Sequence, residues 1–218
     1  MTLVALDFDG TLTQSNLSVL LGREYGVGGE VRGLVEQGLL GEVPFGQTLR
    51  QRVSLLEGMP KEQVDAAFER CTLRLGAADL IAELSRSDVS VAIISRSFER
   101  GIESALERAD VTVDHVIANR LVFENEAVTG DVEGPLVDGQ KDQAIEELAV
   151  SEGVDVGRTI AVGNGATDLP MLKMAGTAIG FEPEPVVEGY CDVVVTSIRE
   201  LRLYFEQHAI IDVEEAGG

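Results

Sequence analysis

The chain has 218 residues, of which 44% are hydrophobic, and this apolar content excludes a disordered acidic protein. Its formal net charge is −21, from 38 acidic residues against 17 lysines and arginines, and such a field repels nucleic acid and anionic membranes. Apolar runs are all shorter than the 18 residues of a membrane-spanning helix, so we expect no membrane span.

The acidic residues are spread along the chain, a composition that resembles proteins of salt-loving organisms. The first apolar run is interrupted by Asp7 and Asp9 and lacks a basic start, so we expect no signal peptide and a cytoplasmic protein. Cys71 and Cys191 have neither a disulfide framework nor metal-binding spacing around them, and we interpret both as buried thiols.

Continuous apolar runs predict buried parallel strands at residues 3–8, 89–95, 159–163, 177–181 and 192–196. Helical periodicity predicts helices between them, at 77–86, 98–107, 141–152, 168–175 and 198–207. This alternation predicts an α/β fold with a doubly wound, mainly parallel sheet. Residues 115–134 instead predict an extended segment running into a hairpin with an Asn-Glu turn, and residues 212–218 are expected to fray.

Residues 14–75 differ from the rest, because they carry apolar residues at helical spacing and lack strand-like runs. We therefore predict a helical cap domain at 14–75, inserted after the first strand, and an α/β core domain at 1–13 and 76–218. An insert at this point lies over the carboxyl ends of the strands, where open α/β sheets bind ligands. The sequence thus predicts a covered binding site.

Four short motifs contain the candidate catalytic and ligand-binding residues. The first strand ends in LDFDGT, in which Asp7 and Asp9 point to the same face, and two adjacent carboxylates are costly unless a cation relieves their repulsion. Ser95 ends the second strand, where it could equally cap a helix, and Lys141 begins a helix. The fourth motif, GNGATD, follows an apolar run and lacks the fingerprints of nucleotide-binding loops.

In this order, DxDGT, a strand-terminal Ser, a Lys and GxGxxD resemble the haloacid dehalogenase superfamily of phosphatases over nearly the whole chain. Within the superfamily the chain resembles phosphoserine phosphatases, which carry a helical cap at this position. The resemblance implies that Asp7 is the nucleophile, forming an aspartyl-phosphate, and that Asp9 is the general acid and then the general base. Ser95 and Lys141 would hold the phosphoryl oxygens.

The resemblance also implies a Mg²⁺ ion, held by Asp7, the main-chain carbonyl of Asp9 and the side chain of residue 164. Asp168 would orient Lys141 or a metal-bound water from outside the ligand set. Two residues of the insert match substrate-lining positions of the family: Phe45 and Arg52.

Four positions depart from the phosphoserine phosphatase pattern. Asn164 replaces an aspartate, which removes one negative charge from the metal site and predicts weaker metal binding. Thr167 replaces an asparagine near the phosphate, and Ser95-Arg96-Ser97 replaces Ser-Gly-Gly. Asn16 stands where the family has a carboxylate that pairs with the substrate ammonium group.

Several readings of the function stay open. The first is a Mg²⁺-dependent phosphoserine phosphatase. The second is a related phosphatase or phosphotransferase for another small phosphorylated acid, since Asn16, Arg52 and Arg96 suit a carboxylate or a second phosphate without an ammonium group. The third is a non-catalytic binder of a phosphorylated ligand. We expect a small phosphorylated metabolite as the partner, with neither nucleic acid nor membrane, and a monomer or homodimer.

Overall fold

The structure is a computed structural model, and residues 1–39 and 43–212 are described. Residues 40–42, inside the predicted cap, and residues 213–218, in the segment expected to fray, lie outside the described residues. None of the described helices combines the length and the apolar character that crossing a membrane requires.

A mainly parallel sheet forms the centre of the fold. Its strands are β1 (Thr2–Leu6), β2 (Val89–Phe98), β3 (His115–Glu124), β4 (Ala127–Glu133), β5 (Thr159–Gly163), β6 (Thr177–Phe181) and β7 (Val193–Val195). Among the described residues they follow the order β4-β3-β2-β1-β5-β6-β7, and every pair is parallel except β3 and β4. Because β1 pairs with both β2 and β5, the direction of winding reverses at β1, where such sheets form a ligand-binding crevice.

Helices cover both faces of this sheet. The described helices are α1 (Leu17–Tyr25), α2 (Gly28–Leu39), α3 (Phe45–Ser54), α4 (Lys61–Phe68), α5 (Ala77–Arg86), α6 (Glu99–Arg108), α7 (Lys141–Ser151), α8 (Leu169–Met174), α9 (Pro185–Glu188) and α10 (Ile198–Gln207). Alternate residues of β1 enter separate apolar clusters: Val4 and Leu6 pack in the cluster that includes α5 and α10, and Leu3 and Ala5 pack with α7 and α8. The predicted doubly wound fold is confirmed.

The second strand is longer than its apolar run predicts. β2 continues past Ser95 to Phe98, and Phe98, not Ser95, is the residue that precedes α6. The interpretation of Ser95 as a helix cap is therefore wrong. The predicted hairpin is present, and both residues of its turn, Asn125 and Glu126, have positive φ angles of 50° and 60°. Such angles at both central positions are typical of a tight two-residue hairpin turn.

Helices α1–α4 lie between β1 and α5 in the chain, as predicted for an inserted helical cap. They share the larger apolar cluster with the sheet, in which Leu21, Leu49 and Val53 are buried together with Phe8 and Phe98. The insert is therefore packed on the core at the carboxyl end of β1. The exact division at 14–75 stays a prediction.

Candidate active site

A cavity of about 250 Å³ lies at the carboxyl ends of the central strands, beneath the inserted helices. It brings together most of the predicted site residues, and those that line it are Asp7, Asp9, Asn16, Phe45, Arg52, Ser95, Arg96, Asn164 and Thr167. The other two, Lys141 and Asp168, lie behind Asp7. Segments far apart in the chain meet here because parallel strands end at the same edge of the sheet.

A buried ion-pair chain runs from Asp7, which lines the cavity, into the protein behind it. Lys141, the first residue of α7, places its Nζ 2.5 Å from Asp7 Oδ1 and 2.6 Å from Asp168 Oδ1. All three side chains are buried. A charged group in such a place is tolerated only when it is paired, so the three residues form one electrostatic unit.

Both carboxylate oxygens of Asp168 accept hydrogen bonds from protein groups. Its Oδ1 accepts a hydrogen bond from Lys141, and its Oδ2 accepts bonds from the main-chain N–H groups of Asn164 and Gly165, both at 2.9 Å. Gly163 makes this packing possible, because a Cβ atom there would lie 2.6 Å from the Asp168 side chain. This arrangement fits the predicted orienting role of Asp168 better than direct metal ligation.

Burial and charge shift the pKa values of this unit. Burial and the nearby Asp168 raise the pKa of Asp7 to about 7, against the lowering effect of Lys141. Burial by itself would lower the pKa of Lys141, but the carboxylates of Asp168 and Asp7 outweigh it and raise this pKa. Lys141 is thus held in its charged form next to the carboxylate of Asp7.

Asp9 also lines the cavity and is held by one of its two carboxylate oxygens. Oδ2 accepts hydrogen bonds from Leu17 N at 3.1 Å and from Ser97 Oγ at 3.0 Å, whereas the buried Oδ1 has no hydrogen-bond partner. Burial raises the pKa of Asp9 to about 6, against the lowering effect of these hydrogen bonds. A carboxyl group poised in this range can donate or accept a proton near neutral pH.

Ser97 is a site residue that the sequence analysis did not single out as a contact. It lies two residues after Ser95 in β2, so both side chains point to the cavity side of the strand. Its main-chain N–H also donates to Ser95 Oγ at 3.3 Å. The signal in the sequence was the two-residue period of a strand, which places Ser97 on the same face as Ser95. It was missed because β2 was predicted to end at Ser95.

The roof of the cavity is cationic and aromatic. The guanidinium groups of Arg52 and Arg96 lie 5.0 and 4.4 Å from the centre of the Phe45 ring. Arg52 is buried, and this burial lowers its pKa to about 10. Arg96 donates to the main-chain carbonyl of Gly139 at 2.6 Å, and its buried Nε has no hydrogen-bond partner.

Asn16 lines the cavity but has a second task in the fold. Its Oδ1 accepts a hydrogen bond from Val19 N at 3.2 Å, and Asn16 is the residue that caps the start of α1. Asparagine is among the preferred residues for such a cap. The amide oxygen that could have received a substrate donor is therefore already used by the helix.

The oxygen donors near Asp7 fit a hard divalent cation. Thr11 Oγ1 lies 3.4 Å from both Asp7 Oδ2 and Asn164 Oδ1, which brings these two oxygens to the same side of the loop. Gly10 has a φ of 93°, and a Cβ there would lie 2.7 Å from Asn164 Nδ2, so the loop closes tightly over Asn164. Residues 1–39 and 43–212 contain no metal-binding group of three His, Cys, Asp or Glu side chains, and the two side-chain oxygens next to Thr11 belong to one carboxylate and one amide.

Comparisons with known proteins agree with this geometry. The sequence model of haloacid dehalogenase-like hydrolases matches residues 4–173. The chain belongs to this family. The predicted membership in the superfamily is confirmed.

Among curated relatives, the phosphoserine phosphatase of Halobacterium salinarum is 41% identical over 96% of this chain and 100% of its own. The phosphoserine phosphatase of Methanocaldococcus jannaschii is 35% identical over 94% of this chain and 97% of its own. A solved phospho-aspartyl intermediate analogue of phosphoserine phosphatase superposes with a TM-score of 0.86 at 35% identity, covering 93% of this chain and 98% of that one. These similarities confirm the predicted resemblance to phosphoserine phosphatases and the phosphatase class of the enzyme.

Proposed function

We propose that this protein is a Mg²⁺-dependent phosphoserine phosphatase that works through an aspartyl-phosphate on Asp7. The observation that carries the proposal is the placement of Asp7 and Asp9 in one cavity, with Lys141 bound to Asp7 at 2.5 Å. The names of the relatives support phosphoserine as the substrate. A solved relative is described as a substrate-bound phosphoserine phosphatase complex, with a TM-score of 0.86 at 34% identity.

The reaction proceeds in two displacements. In the first, a carboxylate oxygen of Asp7 attacks phosphorus, the bond from phosphorus to the serine oxygen breaks, and Asp9 gives its proton to that oxygen. In the second, a water molecule attacks the phosphorus of the aspartyl-phosphate, and Asp9 takes a proton from it. The bond from phosphorus to Asp7 then breaks, which restores both carboxyl groups to their starting states.

The remaining residues bind and orient the phosphoryl group. Ser95 and Thr167 line the cavity and offer hydroxyl donors, and Lys141 holds Asp7 and balances negative charge. Asp7, the main-chain carbonyl of Asp9 and Asn164 would hold Mg²⁺, which when bound neutralises charge on the phosphoryl oxygens. The inserted helices above the cavity exclude bulk water from the reaction.

The proposal is tested by measuring phosphate release from L-phosphoserine with Mg²⁺, at low and high KCl concentration. Asp7→Asn is expected to abolish release because the amide is not a nucleophile. Asp131→Asn, which changes an exposed aspartate on β4, serves as the control and should retain full activity. Release that survives Asp7→Asn would contradict the proposed intermediate.

A second candidate substrate is a small phosphorylated acid without an ammonium group. It is favoured by two observations: Asn16 Oδ1 is used to cap α1, and the roof carries the guanidinium groups of both Arg52 and Arg96. The comparison of phosphoserine with phosphoglycolate tests this candidate. A higher kcat/KM for phosphoserine would exclude it, and a higher kcat/KM for phosphoglycolate would replace phosphoserine as the substrate.

A further inference from the structure

The candidate metal site is short of negative charge. Of its three donors, only Asp7 is a carboxylate, since Asp9 contributes a main-chain carbonyl and Asn164 a neutral amide. Asp7 is also paired with Lys141, which offsets its charge within the site. Mg²⁺ is usually bound through one or two carboxylates, and this set supplies only one, whose charge is shared with Lys141.

Glu184 places a carboxylate next to the loop 163–166, which carries Asn164. It precedes α9, just after the end of β6, and it lines the same cavity as Asn164. Its main-chain N–H donates to the carbonyl of Asn164 at 2.8 Å, and its Oε2 accepts a hydrogen bond from Ala166 N at 3.2 Å. The carboxylate also lies 3.8 Å from the position that a Cβ would take at Gly165. Glu184 is therefore fixed against the loop that presents Asn164.

We propose that Glu184 strengthens divalent-cation binding by supplying, beside the loop 163–166, the negative charge that Asn164 lacks. A main-chain N–H orients this carboxylate without neutralising it. In a partly enclosed cavity such a charge is screened less than at an open surface, so it acts on a cation held at Asp7 and Asn164. Glu184 is a positioning and charge-supplying residue here, and Asn164 remains the ligand.

The inference rests on the proposed function only in that it requires the same cation. It goes further by assigning part of the metal affinity to a residue outside the predicted ligand set. The signal in the sequence was the GFEPEP segment, which places an acid after a third strand end. Its significance depends on the contact between Glu184 and the loop, which the sequence does not reveal.

The test is a Mg²⁺ titration of metal-free protein by calorimetry, without substrate and at constant KCl. Glu184→Gln keeps an acceptor for Ala166 N and removes only the charge, and we expect the dissociation constant to rise about tenfold. Glu188→Gln on the same helix α9 changes an exposed carboxylate and serves as the matched control, with no expected change. The double variant Glu184→Gln/Asn164→Asp restores one charge and should bind Mg²⁺ at least as tightly as the wild type.

Three results would overturn the inference: wild-type Mg²⁺ affinity in Glu184→Gln, an equal loss in Glu188→Gln, or a double variant that binds Mg²⁺ no better than Glu184→Gln. Metal-free Glu184→Gln should melt at the wild-type temperature. An unchanged affinity with a raised KM for phosphoserine would also overturn it and assign Glu184 to the substrate. Phosphate release by the wild type is measured separately. Its absence would refute the proposed function, and the titration would still decide the role of Glu184.

Discussion

The buried lysine offers the most stringent test of the site's electrostatics. Lys141→Met keeps most of the length of the side chain and removes the charge that lies 2.5 Å from Asp7 and 2.6 Å from Asp168. The Lys141 side chain is 1% exposed, so water cannot replace the lost cation. Removing one partner of a buried ion pair costs about 3–5 kcal/mol, and we expect the unfolding free energy at pH 7.5 to fall by that amount.

The sign of the pH dependence follows from the same contacts. Without the ammonium group the pKa of Asp7 rises further, because its charged form loses the cation that stabilises it. The cost is therefore complete at pH values above the pKa of Asp7 in the folded variant. It is lost as pH falls toward the ordinary pKa of an aspartate, 3.8, and Asp7 takes up a proton. At pH 5 the variant should come closer to the wild type than at pH 7.5.

The assay is urea denaturation of metal-free protein at both pH values, with phosphate release measured on the same preparations. Lys173→Met is the control, since Lys173 is exposed and contacts the ring of Tyr190. Lys141→Met should also lower kcat by about 100- to 1000-fold, as the loss of one preorganised electrostatic group usually does. Equal denaturation midpoints for the two lysine variants at pH 7.5 would refute the reasoning.

The remaining predictions concern the loop after β1. Because burial raises the pKa of Asp9 to about 6, Asp9→Asn should stabilise the metal-free protein at pH 8 by up to about 3 kcal/mol, and by less at pH 5, as thermal melts would show. Destabilisation at pH 8 would contradict this. Arg74 donates to the Gly10 carbonyl at 2.9 Å and lies 4.8 Å from the centre of the Phe181 ring, so Arg74→Met should lower the unfolding free energy by about 2 kcal/mol. Ser97→Ala removes a donor to Asp9 and should lower kcat for phosphate release more than it changes KM, whereas a change confined to KM would place Ser97 with the substrate.

Much of the fold could be predicted from the sequence, because the central strands are continuous apolar runs. β5, β6, α5 and α10 begin and end where the apolar pattern places them. β2 was predicted too short, because Arg96 interrupts its apolar run. A charged residue is tolerated in this strand because its guanidinium group packs against Phe45 from the insert, a contact that no local pattern reveals.

The candidate site was predicted residue by residue from motifs, but its internal connections were not. The sequence places Asp168 near the metal, whereas in the structure both of its oxygens are occupied by Lys141 and by the loop N–H groups. For Asn16 the sequence showed only that a neutral amide replaces the carboxylate of the family, whereas the structure shows that this amide caps α1. In both cases the competing partner is a main-chain or side-chain group whose position depends on the folded loop.

By itself, the sequence determined the order of the strands and helices, the family and the groups available for chemistry, because these depend on local apolar pattern and short motifs. Only the tertiary structure decided which of these charged and polar groups interact with one another. It joined Asp7, Lys141 and Asp168 into one buried unit, gave Asp9 a donor in Ser97, and brought Glu184 against the loop that carries Asn164. The physical reason is that the strength of an electrostatic interaction depends on the distance between two groups and on their burial. The number of residues that separate them in the sequence gives neither the distance nor the burial.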